Sequence, residues 1–283
     1  VVTMEGPGTG LINNGAVGIK GNKIEVVGST DEVMRQYKAH RYIEAIGKAI
    51  LPGFVDVHMH TSNAIVRGVS QDLPASEWMF RGILPMLSVA QPDDLAKGSM
   101  LNILEALKSG TTTFCDFDVP MLAIAPNYEK AKVRAVLSNM INELPVDVSV
   151  IEHGIEYPLN SAIGQQKLAD NTALIEHYHQ SNGGRITCRY GPQAVDMCSV
   201  ELLREIKNLA DQKNVLINMH VTQSKEEIVQ CKLRTGKRPV ALLEELGYLN
   251  SHLLAAHMTN AELWEVEQVA RSGAALCLCS NSI

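Results

Sequence analysis

The sequence predicts an α/β fold: an eight-stranded parallel (β/α)8 TIM barrel joined to a small β-sandwich, with the C-terminal part of both expected beyond Ile283. Three observations lead there. Seven short apolar runs alternate with amphipathic helical stretches, as in parallel sheets covered by helices. No GxGxxG follows any of those runs, so the signature of an open dinucleotide-binding sheet is missing. The chain stops at "CLCSNSI", in the middle of what reads as a strand and its loop.

The elements follow in order. Residues 1–52 read as the N-terminal part of the sandwich. Asn14 to Ser29 alternates apolar and polar residues around Gly21-Asn22, a hairpin pattern, and a short helix is expected near Asp31 to Tyr37. Pro52-Gly53 marks the boundary, and residues 53–283 are assigned to the barrel, with strand 8 and the C-terminal sandwich strands absent. Barrel strands are expected at 53–60, 111–117, 133–139, 185–192, 215–222, 252–259 and 273–280. Helices are expected at Asp93 to Ser109, Gly164 to Gln180, Ser199 to Lys213 and Asn260 to Ser272, the third opened by Ser199.

Composition narrows the partners. The 283 residues are 46% hydrophobic and 20% charged, enough for a large buried core. A net charge of -6 without a basic patch argues against nucleic acid, and no apolar run approaches the roughly 20 residues a membrane span needs. The six cysteines lack CxxC spacing and read as reduced core residues of a cytoplasmic protein. A homodimer is the default assembly.

Three of the seven strands end in histidine: His58 and His60 close the first, His220 the fifth and His257 the sixth. Residues i and i+2 of a strand share a face, so His58 and His60 are expected to point together toward the barrel axis. Barrel active sites lie at strand C-termini, and imidazoles grouped there suit Zn²⁺ or Fe²⁺. A lone HxH is more often a surface feature; four histidines at strand ends of one sheet, above apolar strand interiors, reverse that judgement. The other five (His40, His153, His177, His179 and His252) read as surface or supporting groups.

The stretches "LPGFVDVHMHTSNAIVRGVSQDLPASEW", "LKSGTTTFCDF", "GPQAVDMCS" and "LLAAHMT" resemble the amidohydrolase superfamily. The nearest branch holds the methylthioadenosine/S-adenosylhomocysteine deaminases, guanine deaminases and triazine hydrolases. The resemblance runs along essentially the whole chain. It implies a hydrolase acting on C–N or C–Cl bonds of a small nitrogen heterocycle through a metal-activated water. It further implies one divalent metal, Zn before Fe, on His58, His60 and His220, with His257 as a catalytic residue. The family's fourth ligand, an aspartate after strand eight, falls beyond Ile283.

Three positions depart from that pattern. The glutamate that shuttles protons in the family is Gln223 here, and an amide cannot take up the proton. The histidine of the family's "GPH" motif is Gln193, and a glutamate that grips ribose hydroxyls falls at Leu87, which together argue against a nucleoside. Trp78 is retained. The resemblance therefore implies a catalytic position at Gln223 and substrate-wall positions at Trp78 and Gln193. The alternatives are a methylthioadenosine/S-adenosylhomocysteine or guanine deaminase with an altered pocket and, from another class, a catalytically silent barrel, since Gln223 replaces the usual glutamate.

Overall fold

The computed structural model describes residues 1–74, 77–152 and 154–279, so His153 and the last residue of the 273–280 run lie outside the described residues. The chain divides into two compact units, Val1–Phe54 and Val55–Ile283.

In the first unit, β1 (Gly15–Lys20) and β2 (Lys23–Ser29) pair antiparallel from Gly15↔Ser29 to Lys20↔Lys23. Gly21 takes a φ of 62° in the two-residue turn, a left-handed conformation that costs glycine little. Ser29 then caps the helix Thr30–Gln36: its hydroxyl accepts the Glu32 N–H, satisfying one of the donors a helix start leaves over. Among its described residues this unit holds one two-stranded sheet rather than two packed layers.

The second unit is the barrel. Its strands are β3 (Phe54–Met59), β4 (Thr111–Asp118), β5 (Arg134–Ile141), β6 (Ile186–Cys188), β7 (Gly191–Pro192), β8 (Ile217–Val221), β9 (Leu253–His257) and β10 (Ala275–Cys277). β3 to β6 neighbour one another in sequence order, as do β8 to β10, and β7 pairs with β5 beyond the end of β6. The pairings of β4 with β5, β5 with β6 and β7, β8 with β9, and β9 with β10 are parallel. The bridges Tyr190↔Ile217 and Ala194↔His220 join the two halves of the sheet. Short β6 and β7 together form the strand expected at 185–192, interrupted where Arg189 and Tyr190 leave the regular ladder.

The helices at Pro92–Lys108, Ser161–Tyr178, Val200–Lys213 and Leu263–Ser272 lie between the strands, and Ser199 caps the third through the Leu202 N–H. The helices Met121–Ala131 and Pro239–Glu245 escape the sequence pattern, whereas Lys225–Thr235 opens at Glu226 and Glu227, where the sequence reads as the start of a helix. Pro126 sits inside the first, and a proline there normally reads as a break. Strand and helix side chains share one core, with Phe114, Leu137, Leu174, Leu203, Ile206 and Met219 fully enclosed. Among the described residues no helix is long and apolar enough to cross a membrane.

One correction concerns the strand interiors, which the sequence analysis takes as nearly all apolar. Asp116, Asp118, Ser138, Asn139 and Asn218 are buried on β4, β5 and β8. The reason is a polar layer beneath the barrel mouth, in which each carboxylate is paired with donors of the neighbouring loop.

Gly191 shows how tightly this region is packed. A Cβ there would stand 2.6 Å from the Phe117 ring and 2.7 Å from the Asn139 carbonyl oxygen. Gly191→Ala is therefore expected to cost about 1–3 kcal/mol, the usual penalty for forcing a methyl into a full core, measured by urea denaturation. A variant as stable as the parent would show that the strand junction yields.

Candidate metal centre

The site is built from strand ends. His58 belongs to β3 and His60 follows it; His220 lies in β8, and His257 ends β9. His58 and His60 are held by β4 beside them. The Thr61 N–H and hydroxyl both donate to the Asp116 carboxylate, and the Tyr128 hydroxyl donates to it at 2.7 Å. The Ser62 N–H and hydroxyl donate to the two oxygens of Asp118, each at 2.8 Å. Between those carboxylates, the Phe117 carbonyl accepts the His60 Nδ1–H. That bond fixes the tautomer of His60 and leaves its Nε2 lone pair for a ligand.

The result is convergence. His220 Nε2 lies 3.2 Å from His58 Nε2 and 3.3 Å from His60 Nε2. Zn–N bonds of about 2.0–2.1 Å in tetrahedral geometry set ligand nitrogens roughly 3.3–3.4 Å apart. The three rings thus fit a divalent ion such as Zn²⁺ or Fe²⁺, and neutral imidazole is the right donor for either. The His257 ring packs 5.1 Å from His58 and 5.2 Å from His220, centroid to centroid. Both its nitrogens are buried without a hydrogen-bond partner among the described residues, as is His58 Nδ1. His257 has a φ of 77° and Thr222 one of 46°, left-handed values that are uncommon for non-glycine residues and costly for a β-branched one such as Thr222.

Burial sets the charge state. It pushes the His58 imidazole down to about 2, helped by His60 and His257, and His257 down to about 4, helped by His60. His60 and His220 are lowered for the same first reason. The rings are consequently neutral and ready to coordinate at neutral pH.

The remaining expected residues occupy different places. Gln223 follows β8 and is half-buried; its backbone N–H donates to Glu227, and its carbonyl accepts from Thr259 and Asn260. Its side-chain amide makes no hydrogen bond among the described residues. The Gln193 carbonyl accepts the His220 N–H at 3.1 Å, while its side-chain oxygen accepts from the Asn142 amide. Trp78 is half-buried at the start of the π-helical turn Trp78–Ile83, whose next two residues, Met79 and Phe80, line a cavity with Gln223. The sequence reading missed Asp116, Asp118 and Cys279. The first two are visible in "CDFD", because aspartate is rare inside strands unless it is paired. Cys279 places its thiol within 4.8 Å of ring nitrogens of His58 and His257. Of the other histidines, His40 and His177 are exposed, His252 is half-buried, and His179 Nδ1 accepts the Cys188 N–H.

The profile of the amidohydrolase family matches residues 49–283, and the chain belongs to that family. The 5-methylthioadenosine/S-adenosylhomocysteine deaminase of Pelotomaculum thermopropionicum is 30% identical over 283 residues, covering all of this chain and 61% of the relative. An adenosine deaminase from Xanthomonas campestris, solved with bound zinc, superposes with a TM-score of 0.83 at 24% identity, covering 95% of this chain and 58% of that one. The zinc complex of an Arthrobacter aurescens TC1 atrazine chlorohydrolase gives 0.73 at 19% identity, covering 92% and 59%. The two structural likenesses show the fold, which is of the TIM-barrel type. The chain spans about 61% of the length of the first relative.

Zinc retention tests the cluster. Because burial already holds the rings neutral, protons compete with the metal only well below the usual histidine pKa of about 6.5. Equilibrium dialysis is expected to show unchanged zinc content from about pH 8 down to about pH 5.5, and its loss in His220→Ala. Release with a midpoint near pH 6.5 would mean that the rings are solvated and not gathered as described.

Proposed function

We propose that this chain is the barrel of a metal-dependent hydrolase that removes an amino substituent from a nitrogen heterocycle. The observation that carries the reading is the convergence of three ring nitrogens, 3.2 and 3.3 Å from His220 Nε2. His58, His60 and His220 would hold one divalent ion, Zn before Fe, and that ion supplies Lewis acidity that makes water nucleophilic near neutral pH. The relatives named as deaminases support loss of ammonia over loss of chloride.

The chain's own residues divide the remaining work. His257 is neutral, buried and unpaired, so it can accept a hydrogen bond from the attacking water and orient it. Gln223 can hydrogen-bond the heterocycle but cannot carry a proton, so the leaving amine must be protonated without it. Gln193, beside His220, and Trp78 serve as walls for the ring. With Gln193 and Leu87 in place of ribose-gripping groups, the preferred substrate is a heterocyclic base or its simple derivative. A small molecule is the partner, in a cytoplasmic homodimer.

Gln223 gives a second reading its specific observation: a barrel that binds metal and ligand without turnover. Two substrates on two proteins separate the alternatives. Wild type and Gln223→Glu, each with zinc content verified, are assayed on an amino-substituted heterocycle and on its chloro analogue. A restored proton shuttle is expected to raise deamination by about 10²–10⁴-fold, or roughly 3–5 kcal/mol of barrier. A wild type active on the chloro ring, with little gain from glutamate, would replace ammonia by chloride as leaving group, since chloride departs unprotonated. No turnover of either substrate by either zinc-loaded protein would sink the hydrolase reading.

A further inference from the structure

A second pocket lies beside the histidine centre, sharing Gln223 with the turn that leaves β8. It is narrow, with room of about 20 Å³, the size of a single water or ammonium head group, and it opens to solvent. Its walls are apolar and aromatic: Met79, Phe80, Tyr157 and Met197, with the Phe80 and Tyr157 rings edge to face at 5.6 Å. Its other wall is acidic, from Asp196, Glu226 and Glu227.

The three carboxylates are not equivalent. Glu227 is a structural acceptor: its two oxygens take the Thr222 and Gln223 N–H groups at 2.9 and 2.7 Å and hold the turn after His220. Glu226 accepts from the Gly154 N–H and the Gln230 amide. Asp196 differs. It is 3% exposed, and its Oδ1 is buried without a hydrogen-bond partner among the described residues. The nearby guanidinium of Arg234 donates to the Asp196 and Cys198 backbone carbonyls and pairs with Glu156. The guanidinium thus spends its hydrogen bonds on Glu156 and backbone carbonyls and gives none to the Asp196 carboxylate.

A buried carboxylate without a partner costs free energy unless something charged or donating comes to it. Burial, with a smaller push from the Glu226 charge, holds Asp196 up at about 7 despite the pull of Arg234, so its counter-charge is incomplete. Aromatic faces beside an unpartnered carboxylate are the physical recipe for recognising an ammonium group, which gains Coulomb and cation–π attraction at once. A neutral apolar group would leave Asp196 Oδ1 stranded, and an anion would be repelled.

We propose that this cavity is a cation subsite, in which Asp196 and the Phe80 and Tyr157 rings receive a primary ammonium arm of the ligand whose ring lies at the histidines. The identity of that ligand rests on the hydrolase reading; the cation site itself does not. Gln223 stands at the border of both, which gives the residue a use that needs no proton transfer.

The test measures binding, not turnover. n-Butylammonium and its neutral counterpart 1-butanol are titrated into zinc-loaded and zinc-free protein by saturation-transfer NMR. Butylammonium is expected to bind both forms, and butanol at least tenfold more weakly. Asp196→Asn, which removes no hydrogen bond from Oδ1, is expected to keep the unfolding midpoint and zinc content while weakening butylammonium at least tenfold. Tyr157→Phe should bind like the parent and Tyr157→Leu should not, since a ring face is what the cation needs. Equal binding of alcohol and ammonium, or an Asp196→Asn variant that binds butylammonium as the parent does, would overturn the proposal. Either result leaves the hydrolase reading standing, and a protein inactive on every heterocycle would leave the cation site standing.

Discussion

Everything at the barrel mouth depends on the last three residues of β4. Asp116 and Asp118 project to one side and clamp Thr61 and Ser62 through backbone and side-chain donors. Phe117, between them, turns its carbonyl to His60 Nδ1. A strand is rigid on the scale of a metal–ligand bond, so tying the loop after β3 to it fixes where His58 and His60 can point. The clamp is costly on its own: burial lifts Asp116 to about 7 and Asp118 to about 6, against the pull of their donors. In Asp116 the neighbouring Asp118 charge adds to the rise. Two buried acids side by side are hard to justify by stability. Their pairing with the residues immediately after the HxH pair makes sense as positioning.

The sequence carried the parts of this arrangement that are periodic. Apolar runs and helical spacing sufficed to place the strands from β3 to β10 in order; in β5, β8 and β9 burial on both faces leaves a parallel strand little choice of residue. The strand-end histidines were legible for the complementary reason: a polar ring at the end of an apolar run needs an explanation. The helix Met121–Ala131 was hidden by Pro126, whose local signal opposes a helix that the packing of Ile124, Ala125 and Tyr128 imposes. The Asp196 cavity was hidden because its walls come from four separate stretches, around Met79, Tyr157, Asp196 and Gln223. Within "GPQAVDMCS" an aspartate reads as a loop residue; only the fold shows it buried.

Desolvation is the common cause behind the mouth and its neighbour, and it acts with opposite sign on the two. It drives four imidazoles toward their neutral form and drives Asp196 and Glu227 toward theirs. The mouth without ligands therefore carries far less charge than its residue types would give in water. Neutral imidazoles offer lone pairs to a cation, and a buried carboxylate offers it charge. The two places differ in donor type: ring nitrogen lone pairs suit a divalent metal, carboxylate and ring faces an ammonium group.

That division bears on Gln223. A glutamate here would place another carboxylate between the histidine cluster and a cavity already lined by three, and like charges held together in a poorly solvated place raise one another's pKa. An amide removes that repulsion and keeps a hydrogen-bonding group at the border. The neutral residue is thus consistent with an acidic neighbour, and Asp196 and Gln223 are better understood as a pair than as separate departures. The backbone geometry agrees: Glu227 grips the N–H of Gln223 while Thr259 and Asn260 hold its carbonyl, so the main chain is fixed from both sides and the side chain alone is left free to face a ligand.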